Sequence, residues 1–190
     1  MGEEKKPGLS LIQGRLIEET RFGSLKIVAA PEKAAPFDVQ AFAFEEDTFL
    51  VLSADTQIRD PKIPLAHIMT RLIETQPEVP GSVLVRGNKP LRFLAVIHDL
   101  NQEPSWREEW IDAALRGIFK EAEQRQLRSI AIPLLGTIHG SLKKVRFVEL
   151  LKGVLQKASF QHLTRLWLVV PPGTSHEVVG FLQNGYRKES

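Results

Sequence analysis

Cysteine is absent from the 190 residues, which excludes disulfides, thiolate metal sites and cysteine nucleophiles and fits a reducing compartment. An excess of charge of either sign is also missing. Lys and Arg number 25 against 23 Asp and Glu, a net +2, so no global drive toward nucleic acid or an anionic membrane exists. No apolar run approaches the roughly 20 residues that cross a bilayer. The opening MGEEKKPG is polar and lacks the apolar core of a signal peptide. Together these absences lead to the expectation of a soluble, cytoplasmic protein with no membrane and no nucleic-acid partner. The five histidines contain no H-x-x-x-H pair, so no ready metal motif is present and no metal or cofactor is expected. Internal repeats and low-complexity segments are lacking as well.

What is present is a chain with 43% hydrophobic residues, enough for one sizeable core. Leu9 to Glu18 and Leu25 to Ala30 read as strands around a polar turn at Glu19 to Ser24, a hairpin. Val39 to Phe44 and Phe49 to Leu52 read as a second pair around the acidic turn Glu45-Glu46-Asp47. Ile63 to Glu74 carries Leu65, Ile68, Met69, Leu72 and Ile73 at helical spacing. Ser82 to Val85 and Phe93 to His98 are short strands. Ser105 to Gln126 is a helix opened by a Ser105/Glu108 capping box, with Trp106, Trp110, Ala113, Ala114, Gly117 and Ile118 toward the core. Ile130 to Leu135 is a buried strand, and Val145 to Phe160 is a helix with Phe147, Leu150, Leu151, Val154, Leu155 and Ala158 as its stripe. Leu166 to Val170 is a further strand, and a Thr174/Glu177 box opens a terminal helix. Strands alternating with helices from Ser82 onward predict a largely parallel or mixed sheet.

The most informative stretch is Ser129 to Gly140, SIAIPLLGTIHG. A buried strand runs into a loop bounded by Gly136 and Gly140, and a helix follows. Such a loop lets backbone N–H groups approach an anion, and the helix start adds unpaired donors. An ordinary turn has the same outline. His98, Asp99 and His139 end strands on one edge, where they either meet as a metal set or stay separate structural groups. Lys143 and Lys144 open a helix whose dipole disfavours cations, relieved by a bound anion or by solvent.

FLAVIHD at Phe93 to Asp99, the long helix and then SIAIPLLGTIHG resemble, in order and spacing, the macro domain family. Its members show a strand ending in VIH, a helix, and a strand ending in a P-x-x-G-T-G-x-x-G-like loop. Upstream, VLSADTQIR at Val51 to Arg59 is similar to the strand ending in N-A-A-N. The resemblance spans residues 38–171 and implies a three-layer α/β/α sandwich with a central mixed sheet. An N-terminal tail and hairpin at 1–36 would be appended to the sheet of a macro-like domain at 37–190. It also implies a cleft that binds ADP-ribose or a related phosphorylated nucleoside.

Residue by residue, Gly136, Thr137 and Gly140 match the loop, Ile138 completes it, and His139 stands where an aromatic residue often lies near the distal ribose. GTIHG is one residue shorter than the family loop. Asp55 falls where the second asparagine would lie, and Leu52 replaces the first. Ionised Asp55 accepts hydrogen bonds from ribose hydroxyls but repels a diphosphate; as a simple turn residue it does neither. It is the one candidate catalytic residue. His98 and Asp99 complete the expected ligand-binding set. Pro61, Lys62, Ile63 and Pro64 stand in place of a glycine-rich loop, and each proline removes a donor. For the adenine-binding acid that follows an early strand, Glu32 and Glu46 are candidates by position. These replacements point to a binding module without hydrolase activity. The alternatives are a scaffold with a degenerate pocket acting through protein contacts or homo-oligomerisation, and a hydrolase of ADP-ribose derivatives.

Overall fold

The computed structural model describes residues 16–52 and 76–184. Seven strands form one mixed sheet: β1 (Glu18–Phe22), β2 (Leu25–Ala30), β3 (Ala41–Asp47), β4 (Val83–Arg86), β5 (Leu91–His98), β6 (Ser129–Pro133) and β7 (Arg165–Val169). Their order is β1-β2-β7-β6-β3-β5-β4. The five inner strands are parallel, and β1 and β4 pair antiparallel at the two edges. Parallel strands need both faces covered, and the inner strands accordingly read as near-continuous apolar runs such as LAVI and SIAIP.

Alternation assigns the two faces. Leu25, Ile27, Ala29, Ala41, Ala43, Phe93, Ala95, Ile97, Ile130, Ile132, Leu166 and Leu168 point one way into the main core. Three helices cover them: α1 (Glu108–Gln124), α2 (Lys144–Lys157) and α3 (Ser175–Asn184). The buried stripe of α1 is Ile111, Ala114, Leu115, Ile118, Phe119 and Ala122, one turn apart along a single face. The opposite face carries a smaller cluster of Ala30, Ala131 and Trp167 with Phe37, Val39, Phe42 and Val169. The class is therefore the expected α/β plan around a mixed sheet, consistent with a three-layer sandwich. The helix expected at Ile63 to Glu74 lies outside the described residues. No helix among the described residues is long and apolar enough to cross a membrane.

Several local expectations are corrected. The first hairpin strand occupies Glu18–Phe22, where a turn was expected, because the reversal takes only Gly23 and Ser24: Phe22 pairs directly with Leu25. Gly23 sits at φ +58, the left-handed conformation that two-residue hairpin loops demand. Glu45-Glu46-Asp47 is not a turn between two strands. It is the buried end of β3, which runs in parallel between β6 and β5. Neither capping box forms. The Ser105 hydroxyl bonds the His98 ring instead, Arg107 occupies the cap of α1 without a side-chain bond, and Thr174 donates back to the Pro171 carbonyl. The C-terminus of α1 closes through Gln126 at φ 56, with Gln126 N–H on the Glu123 carbonyl and Leu127 N–H on that of Ala122. That is the Schellman pattern without its usual glycine, held by burial of Leu127.

Candidate functional site

The loop after β6 is built by two close approaches. Gly136 has φ +81, and a Cβ there would lie 2.6 Å from Ile111 Cδ1. A Cβ on Gly140 would meet the Gly136 carbonyl at 2.5 Å and the Trp106 ring at 2.8 Å. Both glycines are thus required by the packing of the loop against α1 and against itself. The Leu142 N–H closes the loop on the Gly136 carbonyl at 3.1 Å. Thr137 turns inward, its hydroxyl donating to the Leu134 carbonyl at 2.7 Å. Ile138 is 61% exposed and stands out from the loop.

The loop's donors converge on a carboxylate from the chain itself. Gly136 N–H donates to Glu45 Oε1 at 2.6 Å, and His139 N–H reaches Glu45 Oε2 at 3.4 Å. Glu45 is 5% exposed at the end of β3. His98, 1% exposed at the end of the adjacent β5, donates from Nε2 to the same Oε2 at 3.1 Å. Its Nδ1 lies 3.3 Å from the Ser105 hydroxyl, which donates when the neutral ring keeps its proton on Nε2. A buried carboxylate needs such a set of partners. The His139 and His98 rings meet edge to face with centroids 6.2 Å apart.

Asp47, fully buried two residues further on, binds its own turn: Oδ1 accepts from Phe49 N–H at 2.6 Å, and Oδ2 from Val51 and Leu52 N–H, each at 2.9 Å. Asp99 does likewise, taking the Asn101 N–H at 3.0 Å and the Gln102 amide at 2.7 Å. Its carboxylate therefore organises the 99–102 turn. Among the described residues no group of three His, Asp or Glu is arranged to hold a metal. Lys144 pairs with Glu177 of α3, which answers its place at the positive end of α2, and Lys143 is exposed to solvent. Asp55, Pro61, Lys62 and Pro64 lie outside the described residues.

Beside the Gly136–Gly140 loop, at the carboxyl ends of the inner strands, is a cleft of about 250 Å³. Phe42, Phe44, Glu45, Pro133 and Val169 line it from the strands, Glu32 from the turn after β2, Leu52 from the turn after β3, and Ile138 and His139 from the loop. Open parallel sheets place ligands at this end. A larger groove of about 420 Å³ runs between α1 and α2, lined by Phe119, Val154, Phe160, Lys120, Lys157 and Glu123 among others. It lies away from the carboxyl ends of the strands, and the loop N–H groups beside it are taken by Glu123.

The same architecture recurs in solved structures. The Oceanobacillus iheyensis macrodomain with ADP superposes with a TM-score of 0.62 at 14% identity, covering 88% of this chain and 93% of that one. The Trypanosoma brucei macrodomain in complex with ADP-ribose gives 0.56 at 14% identity, covering 84% and 68%. The macrodomain of Thermus aquaticus DarG gives 0.54 at 20% identity, covering 76% and 97%. The fold is that of a macrodomain. No family model and no curated protein sequence matches the chain.

Within the macrodomain fold the 88% coverage reaches beyond residues 38–171, so more of the chain than that stretch shares the architecture. The inner strand that the resemblance carried as far as Leu52 and Asp55 ends at Asp47. Its final residues are Phe44, Glu45, Glu46 and Asp47; Leu52 lies in the turn that follows, and Asp55 lies outside the described residues. Of the two acids considered for the adenine side, Glu32 follows β2 and lines the cleft, while Glu46 is buried at the end of β3. Glu45 was the residue sequence reasoning missed. Its signal was present: three acids directly after the apolar alternation AFAF form either a solvated turn or a buried strand end, and periodicity alone does not separate the two.

Proposed function

We propose that this protein is a binding module of macrodomain architecture that takes a nucleoside-bearing ligand of the ADP-ribose type and does not hydrolyse it. The observation that carries this reading is the cleft at the strand ends. It combines an acid after an early strand (Glu32), partly buried aromatic surface (Phe42 and Phe44) and a loop presenting Ile138 and His139. An aromatic face stacks a base, and a carboxylate accepts from an exocyclic amine or a ribose hydroxyl. Relatives of the same fold hold ADP and ADP-ribose, which supports this class of ligand. Hydrolysis needs a group free to position water. Asp47 has both carboxylate oxygens engaged by its own turn, and Glu45 is engaged by the loop and His98.

A ligand that binds only the native state raises the unfolding temperature. Adenosine and ADP-ribose are therefore expected to raise it in a concentration-dependent way, an effect lost in Phe44→Ala, while a mono-ADP-ribosylated substrate stays intact on incubation. No shift with either ligand would remove the nucleoside reading and leave a scaffold acting through protein contacts. Turnover of the substrate would make the protein an enzyme.

A further inference from the structure

The loop after β6 has the form of an anion site, yet its anion is supplied from within. Glu45 receives the Gly136 N–H at 2.6 Å and the His139 N–H at 3.4 Å, and its Oε2 also accepts from the His98 ring at 3.1 Å. We infer that Glu45 is the specificity-determining residue of the cleft: it occupies the place of a ligand's anionic group and selects an uncharged nucleoside over its diphosphate-bearing form. The inference rests on the proposed nucleoside reading and names which part of such a ligand is bound.

Three physical arguments support it. The first is charge. A diphosphate brought to this loop would meet a carboxylate nearly removed from water, where like charges repel far more strongly than in solvent. Glu32 lines the same cleft as a second acid, and the nearby Arg92 guanidinium lies over the Phe44 ring, 4.8 Å from its centroid. The second is donor supply. The strongest loop donor is spent on Glu45, and Thr137 N–H is spent on the Leu134 carbonyl at 3.1 Å. Ile138, Gly140 and Ser141 N–H groups have no partner among the described residues, and with the Glu45 carboxylate beside them they can serve a hydroxyl oxygen without drawing a second anion. A ribose diol can accept from them and donate to a carboxylate, as acids commonly hold ribose. The third is size. The lined part of the cleft, about 250 Å³, is at the small end for a ligand pocket and is of a size to hold one nucleoside.

The test is calorimetric titration of the full chain with adenosine, ADP-ribose and inorganic pyrophosphate, repeated on Glu45→Gln. Glutamine keeps the shape and an acceptor for Gly136 N–H while removing the charge. The wild type is expected to bind adenosine at least as tightly as ADP-ribose and to show no heat with pyrophosphate. In Glu45→Gln, ADP-ribose should tighten by about tenfold, or about 1.4 kcal/mol, with adenosine changed by less than about threefold. Wild-type binding of ADP-ribose about tenfold tighter than adenosine overturns the inference while leaving the nucleoside reading intact. Silence from all three ligands in both proteins overturns the nucleoside reading itself. The wild-type ranking decides the matter even where Glu45→Gln does not fold.

Discussion

Two glutamates on opposite ends of the sheet perform the same local chemistry with different consequences. Glu123, in the last turn of α1, collects the N–H groups of Gln161 at 3.0 Å, His162 at 3.1 Å and Leu163 at 2.8 Å, together with the His162 ring. It ties the loop before β7 to the helix before β6. Glu45, at the other end, collects loop N–H groups after β6 and the His98 ring. Glu123 keeps part of its side chain in water at 20% exposure, while that of Glu45 is 2% exposed. A carboxylate that gathers backbone donors is thus a general device for fixing a loop in this fold. At the amino ends of the strands it is only structural. At the carboxyl ends the same device holds the loop beside the cleft, where, on the proposed reading, it stands in for a ligand's anionic group.

The largest effect that separates the two ends is expected from Gly140→Val. Its side chain would collide with the Gly136 carbonyl and the Trp106 ring, so the loop must shift. A stability loss of about 3 kcal/mol is expected in urea denaturation, from the loop's own packing whether or not a ligand is present. Full stability with selective loss of binding would show instead that this glycine faces a ligand.

Next is Glu123→Ala, which leaves two partly buried N–H groups and one exposed one without their acceptor and should cost about 2 kcal/mol with no change in ligand affinity. Burial raises the Glu123 pKa, but the N–H donors of Leu163, Gln161 and His162 and the His162 ring outweigh it, and the net displacement is downward. A depressed carboxylate stabilises the native state above its unfolded value of about 4.3, and that contribution disappears as pH falls through the lower folded value. Wild-type stability should therefore drop more steeply than that of Glu123→Ala below about pH 4. Parallel pH profiles would contradict the assignment.

The smallest effect belongs to the cations near the loop. Lys144→Ala removes a half-exposed pair with Glu177 and should change stability by about 0.5 kcal/mol. Because Lys144 is engaged with α3, it should not alter adenosine affinity in a titration. A marked loss would return this lysine to the binding site.

How much of this was legible in the residues follows from where local rules decide. The inner strands and the two long helices were legible because FLAVIH, SIAIP and LWLV are apolar runs and the helical stripes repeat at the right spacing. The loop at Gly136–Gly140 was legible as a loop, since glycines after a buried strand admit little else. Its occupant was not. Glu45 and Gly136 are 91 residues apart, and only the parallel placement of β3 beside β6 brings them together, a tertiary fact that no local window contains. The same holds for Ser105, which reads as a helix cap but finds the His98 ring once β5 and the segment before α1 are side by side. Gln126 ends a helix in a left-handed conformation that favours glycine, because burial of Leu127 outweighs local preference.

The Gly136 and His139 N–H groups are held by the protein's own carboxylate, and the amide proton of Gly136 reports on it directly. A short bond to an ionised acceptor is a strong one, so in the wild type this proton should resonate far downfield and be well protected from exchange with deuterium. In Glu45→Gln, where a neutral acceptor replaces the charged one, it should move upfield while the amides of Gln161, His162 and Leu163 stay where they are. A Gly136 amide whose position and protection are unchanged by Glu45→Gln would contradict the account.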